Sequence, residues 1–216
     1  NFGTIDFKSN VLHTTYETNV YKTYLNNDFI WNSPNTITKG GFVNSLIGMI
    51  RNSNYETSNT PYIKDEGQTS ELHGVLAYKS SLPMKKDGIN FSNLFSPNFM
   101  LRYAPGHVRN LSNKDVYLTH NNLYSLNKTS EIEDGLSAIL GFDFKINKKV
   151  GSGAEKEKLS LSLGQVFSNE ENRDIPTKSS LDQKSSDLVG ELNYNFSEIG
   201  RIDYKFSVDH NMNNLN

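Results

Sequence analysis

With 216 residues the chain is long enough for one sizeable domain, and without cysteine it can form no disulfide, thiolate nucleophile or cysteine metal site. A formal net charge of -2 removes any general electrostatic attraction to nucleic acid. Mean hydropathy is -0.59, and no apolar run approaches the ~18 residues of a membrane helix; a β-barrel escapes that test, because half of each of its strands faces water.

In chain order, Phe2 to Val11 reads as a strand with Ile5, Phe7 and Val11 on one parity, followed by the polar link HTTYETN. Val20 to Trp31 is a second strand, closed by the turn NSPNTITKGG with Pro34 and Gly40-Gly41. Phe42 to Arg51 is apolar on both parities; its neighbours and Gly48 favour a strand over a helix. Ser53 to Gln68 reads as polar loop and Leu72 to Ser80 as the fourth strand. The segment SLPMKKDGINFSN turns the chain into the fifth, Phe95 to Ala104. A long stretch follows, with a small apolar island at Leu123-Tyr124.

The clearest strand is Asp134 to Asn147. Leu136, Ala138, Leu140, Phe142, Phe144 and Ile146 form an apolar column, while Ser137, Gly141, Asp143, Lys145 and Asn147 form a polar one that only Ile139 breaks. A period of two means that successive side chains take opposite faces of a sheet. The strand is also longer than the usual ~5–6 residues and suits the ~9–11 of a tilted membrane-barrel strand. Leu140, Phe142 and Phe144 are expected to face lipid or open solvent, and Asp143 and Lys145 the concave side. The same alternation returns in KLSLSLGQVF, DLVGELNYNF and RIDYKFSVDH, where Glu191, Arg201, Asp203, Lys205 and Asp209 join the polar columns.

Nine long strands follow, expected to pair with their chain neighbours as an all-β, antiparallel up-and-down meander. From the second strand on, connections alternate short and long, as in outer-membrane barrels with tight turns on one rim and long loops on the other. The first link breaks this rhythm. The chain begins without Met or a signal-like stretch and stops just after a strand pattern, so it reads as an incomplete segment of a larger barrel domain, with residues 1–216 all in that domain. Nine strands are odd and both edges unpaired, so the sheet is expected to stay unclosed.

No catalytic or cofactor-binding constellation stands out. The five histidines, His13, His73, His107, His120 and His210, share no metal-ligand spacing. Glu131, Glu133 and Asp134 could serve as an acid/base or cation cluster, but at a strand mouth they read first as a solvated rim. No catalytic residue, cofactor or metal is therefore expected. The polar parity gives a wall on which Asp143, Lys145, Glu191, Arg201, Asp203, Lys205 and Asp209 mix both signs.

At RYAPGHVRN the sequence resembles the LPS-assembly (organic solvent tolerance) LptD family, in an alphaproteobacteria-like form, through the family's C-terminal barrel. The motif residues are Arg102, Tyr103, Pro105, Gly106, His107 and Arg109. YETNVYKTYLNNDFIW, SSLPMKK, NNLYSLNKTSEIEDGLSAILGFDF and SLDQKSSDLVGELNYNF extend the likeness, in order, over most of the chain from Tyr16. Lys128 stands where such relatives often carry Arg, which removes a bidentate contact there. The resemblance implies an outer-membrane barrel that takes lipopolysaccharide from a periplasmic bridge and releases it laterally into the outer leaflet, around an LptE-like lipoprotein plug. The family's gate strands, periplasmic jelly-roll and disulfide cysteines have no counterpart here. The expected partners are thus lipopolysaccharide, the plug, the bridge and outer-membrane lipid, with no nucleic acid and no enzymatic reaction. A general porin or receptor barrel, or a soluble β-rich binding or adhesion module, are the rival readings.

Overall fold

The computed structural model describes residues 2–16, 20–59, 68–106, 110–112, 114–151, 154–197 and 199–209. Among these, the chain forms β1 (Thr4–Tyr16), β2 (Val20–Asn32), β3 (Thr36–Ile37), β4 (Val43–Ser58), β5 (Thr69–Ser81), β6 (Met84–Asp87), β7 (Phe91–Ala104), β8 (Gly135–Val150), β9 (Ala154–Ser168), β10 (Leu188–Asn195) and β11 (Arg201–Val208). The only helical element described is a 3-10 turn at Thr177–Ser179. Nine long strands pair in chain order, β1-β2-β4-β5-β7-β8-β9-β10-β11, and every pairing is antiparallel. β1 and β11 do not meet, so the sheet is unclosed, as expected.

Val43–Arg51 is strand, as its neighbours suggested, with Phe42 just before it. The strands overrun their sequence-based limits, however. β1 continues through part of the HTTYETN link, and β4 takes in Ser53 to Ser58, read as loop. These residues are polar on both parities, which hides the period. Two segments read as turns also contain short strands: β3 pairs with β4, and β6 with β7.

Alternation and register give the sheet two unlike faces. On the outer face, Phe7, Phe29 and Ile50 lie in register, as do Tyr78, Leu101 and Ala138, and Phe144, Leu161, Leu192 and Tyr204. Many of these stay exposed, Leu140 by 50% and Tyr204 by 53%. On the inner face, Met49, Val75, Ala77, Met100, Ile139, Val166 and Val189 make a core with Leu118, Leu123, Leu126, Ile132, Ile175 and Leu181. That second group belongs to the connections 105–134 and 169–187. Their described residues fold back across the sheet from one rim. The opposite rim carries 33–42 and 82–90, with 151, 196–197 and 199–200.

Candidate functional site

The site is the inner face, part filled by the two long loops and part left bare. Gly141 and Gly164 are register partners there. A Cβ on Gly141 would stand 2.5 Å from the Tyr124 hydroxyl, and one on Gly164 2.3 Å from Leu123 Cδ2. The paired glycines are thus a dent that admits the Leu123-Tyr124 island, because any side chain would occupy the same space. Leu123 is fully buried. Burial pushes the Tyr124 phenol above its ordinary pKa, and the Asp143 carboxylate adds to this. Lys79 lies over the Tyr124 ring at 5.2 Å.

Two arginines then pin residues 126–133. Arg51 of β4 donates Nε and Nη2 to the two Asp28 carboxylate oxygens at 2.7 and 2.8 Å. Its Nη1 donates to the Ser130 carbonyl and to Glu131 Oε2, the latter at 3.3 Å. Ser130 has φ 74°, a left-handed conformation unusual for serine, so the grip on its carbonyl holds a strained turn. Arg102 of β7, 1% exposed, donates Nε and Nη2 to the Leu126 carbonyl at 2.9 and 2.7 Å. Glu133 Oε2 lies 3.2 Å from Arg102 Nη2, close enough to pair but not aligned as a hydrogen bond. Glu133 Oε1 accepts from the Thr129 amide. Lys128 is 4% exposed and donates to the Ser125 carbonyl at 3.1 Å. Burial pushes its ammonium down to about 8, helped by Arg102 and opposed by Glu133.

The acidic cluster is therefore no solvated rim. Glu131 and Glu133 are drawn in by the arginines, and Asp134 accepts from Asn172 at 2.7 Å, which ties one loop to the other. Further ties are the Leu111 amide to the Asp174 carbonyl, and Lys178 to Asp115.

The polar wall residues Asp143, Lys145, Glu191, Arg201, Asp203 and Lys205 all fall on this inner parity. They are not one cluster. Asp143 accepts from Asn98 at 2.7 Å and Ser162 at 2.6 Å, with His120 at 3.6 Å. Lys145 pairs with Glu157 at 3.3 Å. Arg201 pairs with Asp203 and donates to Asn193 at 3.1 Å. Glu191, opposite Lys205, joins Lys205 and Asp209 in lining a cavity of about 580 Å³ beneath Tyr117–Asn121 and Thr177–Ser180. The RYAPGHVRN motif is split instead: Arg102 is buried inside, Tyr103 is 53% exposed outside, and Pro105 and Gly106 begin the loop. His107, Arg109 and His210 lie outside the described residues.

Sequence reasoning missed Asp28, Arg51 and the depth of Glu133. Ile139 on the polar column and both-parity apolarity at 42–51 were the available signals of an inner core.

Residues 2–216 match the family model LptD, LPS transport system D. The chain belongs to the LptD family. No curated protein matches it significantly. Membership ties the two-faced sheet to lipopolysaccharide transport at the outer membrane, with the transport system's components as general partners, and sets it in a family of transport and assembly proteins.

Proposed function

We propose that the chain is a stretch of the wall of an LptD-type outer-membrane barrel, incomplete by itself, along whose inner face lipopolysaccharide moves toward the outer leaflet. The observation that carries this reading is the two-faced sheet in a chain of this family: a mainly apolar exterior, interrupted by polar residues such as Gln165 opposite Leu140, against an interior that carries the mixed charges. From Leu136 to Ile146 the apolar column runs ten residue steps, ~34 Å along the strand, which at the usual tilt projects to the ~25 Å of an outer-membrane apolar band.

On this reading the rim of long loops faces outward and the rim of tight turns faces the periplasm. The loops block the outward half of the inner face. Bare wall remains at Lys145, Arg201 and Asp203, leading to the cavity beside Glu191, Lys205 and Asp209. Cations there suit headgroup phosphates, and the interspersed carboxylates keep contacts weak, at ~0–1 kcal/mol for exposed pairs, so that the lipid is guided and not trapped. An LptE-like lipoprotein in the lumen and a periplasmic bridge complete the assembly in this reading.

Photocrosslinking tests it. Photoactivatable residues at Lys145, Arg201 and Lys205 of the full-length protein should capture lipopolysaccharide during transport, and those at Phe144 and Tyr204 should not. Equal capture on both faces, or none inside, would leave this segment as scaffold. Detergent-free solubility would favour a soluble binding module.

A further inference from the structure

The outer face carries a notch. Gly48 of β4 and Gly74 of β5 lie on the outer parity in adjacent rows, Trp31–Gly48–Leu76 and Phe29–Ile50–Gly74. Their large neighbours become walls: Phe29, Trp31, Ile50, Leu76 and Tyr103 border an apolar cavity of about 730 Å³. The Trp31 ring is held by its Nε1, which donates to the Phe2 carbonyl at 2.7 Å. Glycine within a strand weakens it, and marks a bulge, a bend or the close approach of another molecule. Register runs unbroken through both glycines, and neither has a positive φ. A Cβ at Gly48 would come no nearer than 3.7 Å to the Trp31 ring, and one at Gly74 would meet no described atom within 4 Å. The sheet itself therefore has room for a side chain at either position, and that room opens outward.

Amides stand above the notch, toward the rim of long loops. Asn27 and Asn52 share the next outer row, and Asn54 the one beyond. Ser9 Oγ donates to Asn27 Oδ1 at 2.8 Å, Asn52 Nδ2 to Ser70 Oγ at 3.3 Å, and Asn54 Nδ2 to Asn52 Oδ1. A carboxamide has two donor and two acceptor positions, more than these bonds occupy. His13 and Glu56 follow a row higher, with Glu56 accepting from the Tyr21 hydroxyl at 3.0 Å.

The depth of this group follows from the apolar band. On the long-loop side the band ends at Phe167 on β9, Leu136 on β8 and Tyr103 on β7. It reaches higher rows at Leu72 on β5, and at Leu25 and Val11 on β2 and β1. Such a climb across the rows is what strand tilt produces. Asn52 is opposite Leu72 and Asn54 opposite Leu25, so the amides lie at the edge of the band and the notch just inside it.

We propose that this part of the outer wall holds one lipopolysaccharide molecule of the outer leaflet, with an acyl chain in the notch and the uncharged roots of its acyl chains on the asparagines. This rests on the outer-membrane reading above, which places the long-loop rim outside. The ester roots of a phospholipid only accept hydrogen bonds. The amide-linked and hydroxylated roots of lipopolysaccharide donate as well, and carboxamides answer both. The molecule held here is a resident of the outer surface, separate from lipid moving along the inner face.

The test uses the full-length protein in nanodiscs of phosphatidylcholine with a minority of lipopolysaccharide. A benzophenone side chain in place of Phe29, a notch wall that is 50% exposed, should give adducts enriched in lipopolysaccharide by about fivefold over its bulk share, the equivalent of one net hydrogen bond. The same probe at Leu140, on the outer face of β8, should report the bulk share. G74L fills the notch and N27L/N52L removes two of the amides. Each should return Phe29 to the bulk share while heat-modifiable gel migration shows the sheet intact. Bulk-share or phospholipid-enriched adducts at Phe29 in the unsubstituted protein, with lipid still captured at Leu140, would overturn the site and spare the membrane reading. Enrichment that survives either variant would also overturn it. Absence of lipid adducts at both positions would refute the membrane reading itself, and the site with it.

Discussion

Replacing Arg102 by Met should release the loop that covers the inner face. The guanidinium supplies both hydrogen bonds to the Leu126 carbonyl and is the ion-pair partner of Glu133, all within a site where Arg102 is 1% exposed. Removing one partner of a buried pair costs ~3–5 kcal/mol, because the other charge stays buried. Glu133 keeps the Thr129 amide and has Lys128 nearby, so the lower figure applies. About 3 kcal/mol makes opening of residues 126–133 roughly two orders of magnitude more frequent. Lys128 is a built-in reporter: at 4% exposure it is closed to trypsin until the segment opens. Cleavage after Lys128 should therefore accelerate in R102M while heat-modifiable gel migration shows the sheet intact. When reclosing outpaces cleavage, the rate reads the opening equilibrium. E133Q alone should also loosen the segment, and R102M/E133Q should cost at least ~1 kcal/mol less than the two singles added. An unchanged cleavage rate in R102M, or strictly additive effects, would refute the clamp.

Three further outcomes follow from the same geometry. Gly164→Val should expel the Leu123-Tyr124 island at a cost of ~1–3 kcal/mol, since the new side chain would overlap Leu123; accelerated cleavage after Lys128 reads it, and unchanged cleavage would refute the dent. Leu140→Arg, on the outer face, should cost ~2–4 kcal/mol in urea-titrated bilayer folding, while the inner Lys145→Gln should cost little; equal costs would dissolve the distinction between the faces. Lys128 should make loop closure pH dependent: the open segment, with its lysine at the ordinary 10.5, binds a proton that the closed one has lost above about 8, so closure gains stability as pH rises from about 8 to 10.5. Hydrogen exchange at Thr129 and Ser130, corrected for intrinsic rates, should slow across that window and not in K128M; a flat profile would show that Lys128 is hydrated.

The alternation in 134–147, 158–167, 187–196 and 201–210 determined strand type and the face of the charged residues in those strands, because a period of two assigns faces without knowledge of the neighbours, and the short–long rhythm of the connections pointed to the strand order. The polar wall from Asp143 to Lys205 was legible for that reason. Strand limits at Ser53 to Ser58 were not, since polar residues on both faces carry no period. Nor was the inner core. Ile139 looked like an exception in its column and is fully buried beneath the loops. Glu131 and Glu133 looked like a hydrated rim, and Arg51 and Arg102 draw them in from strands some 80 and 31 residues away. Such pairings depend on where a long loop folds back, which local pattern does not encode. A β-bulge at Lys158 is the same lesson at smaller scale: one extra residue decides whether Lys156 or Glu157 faces outward, and only the register of β8 with β9 fixes it.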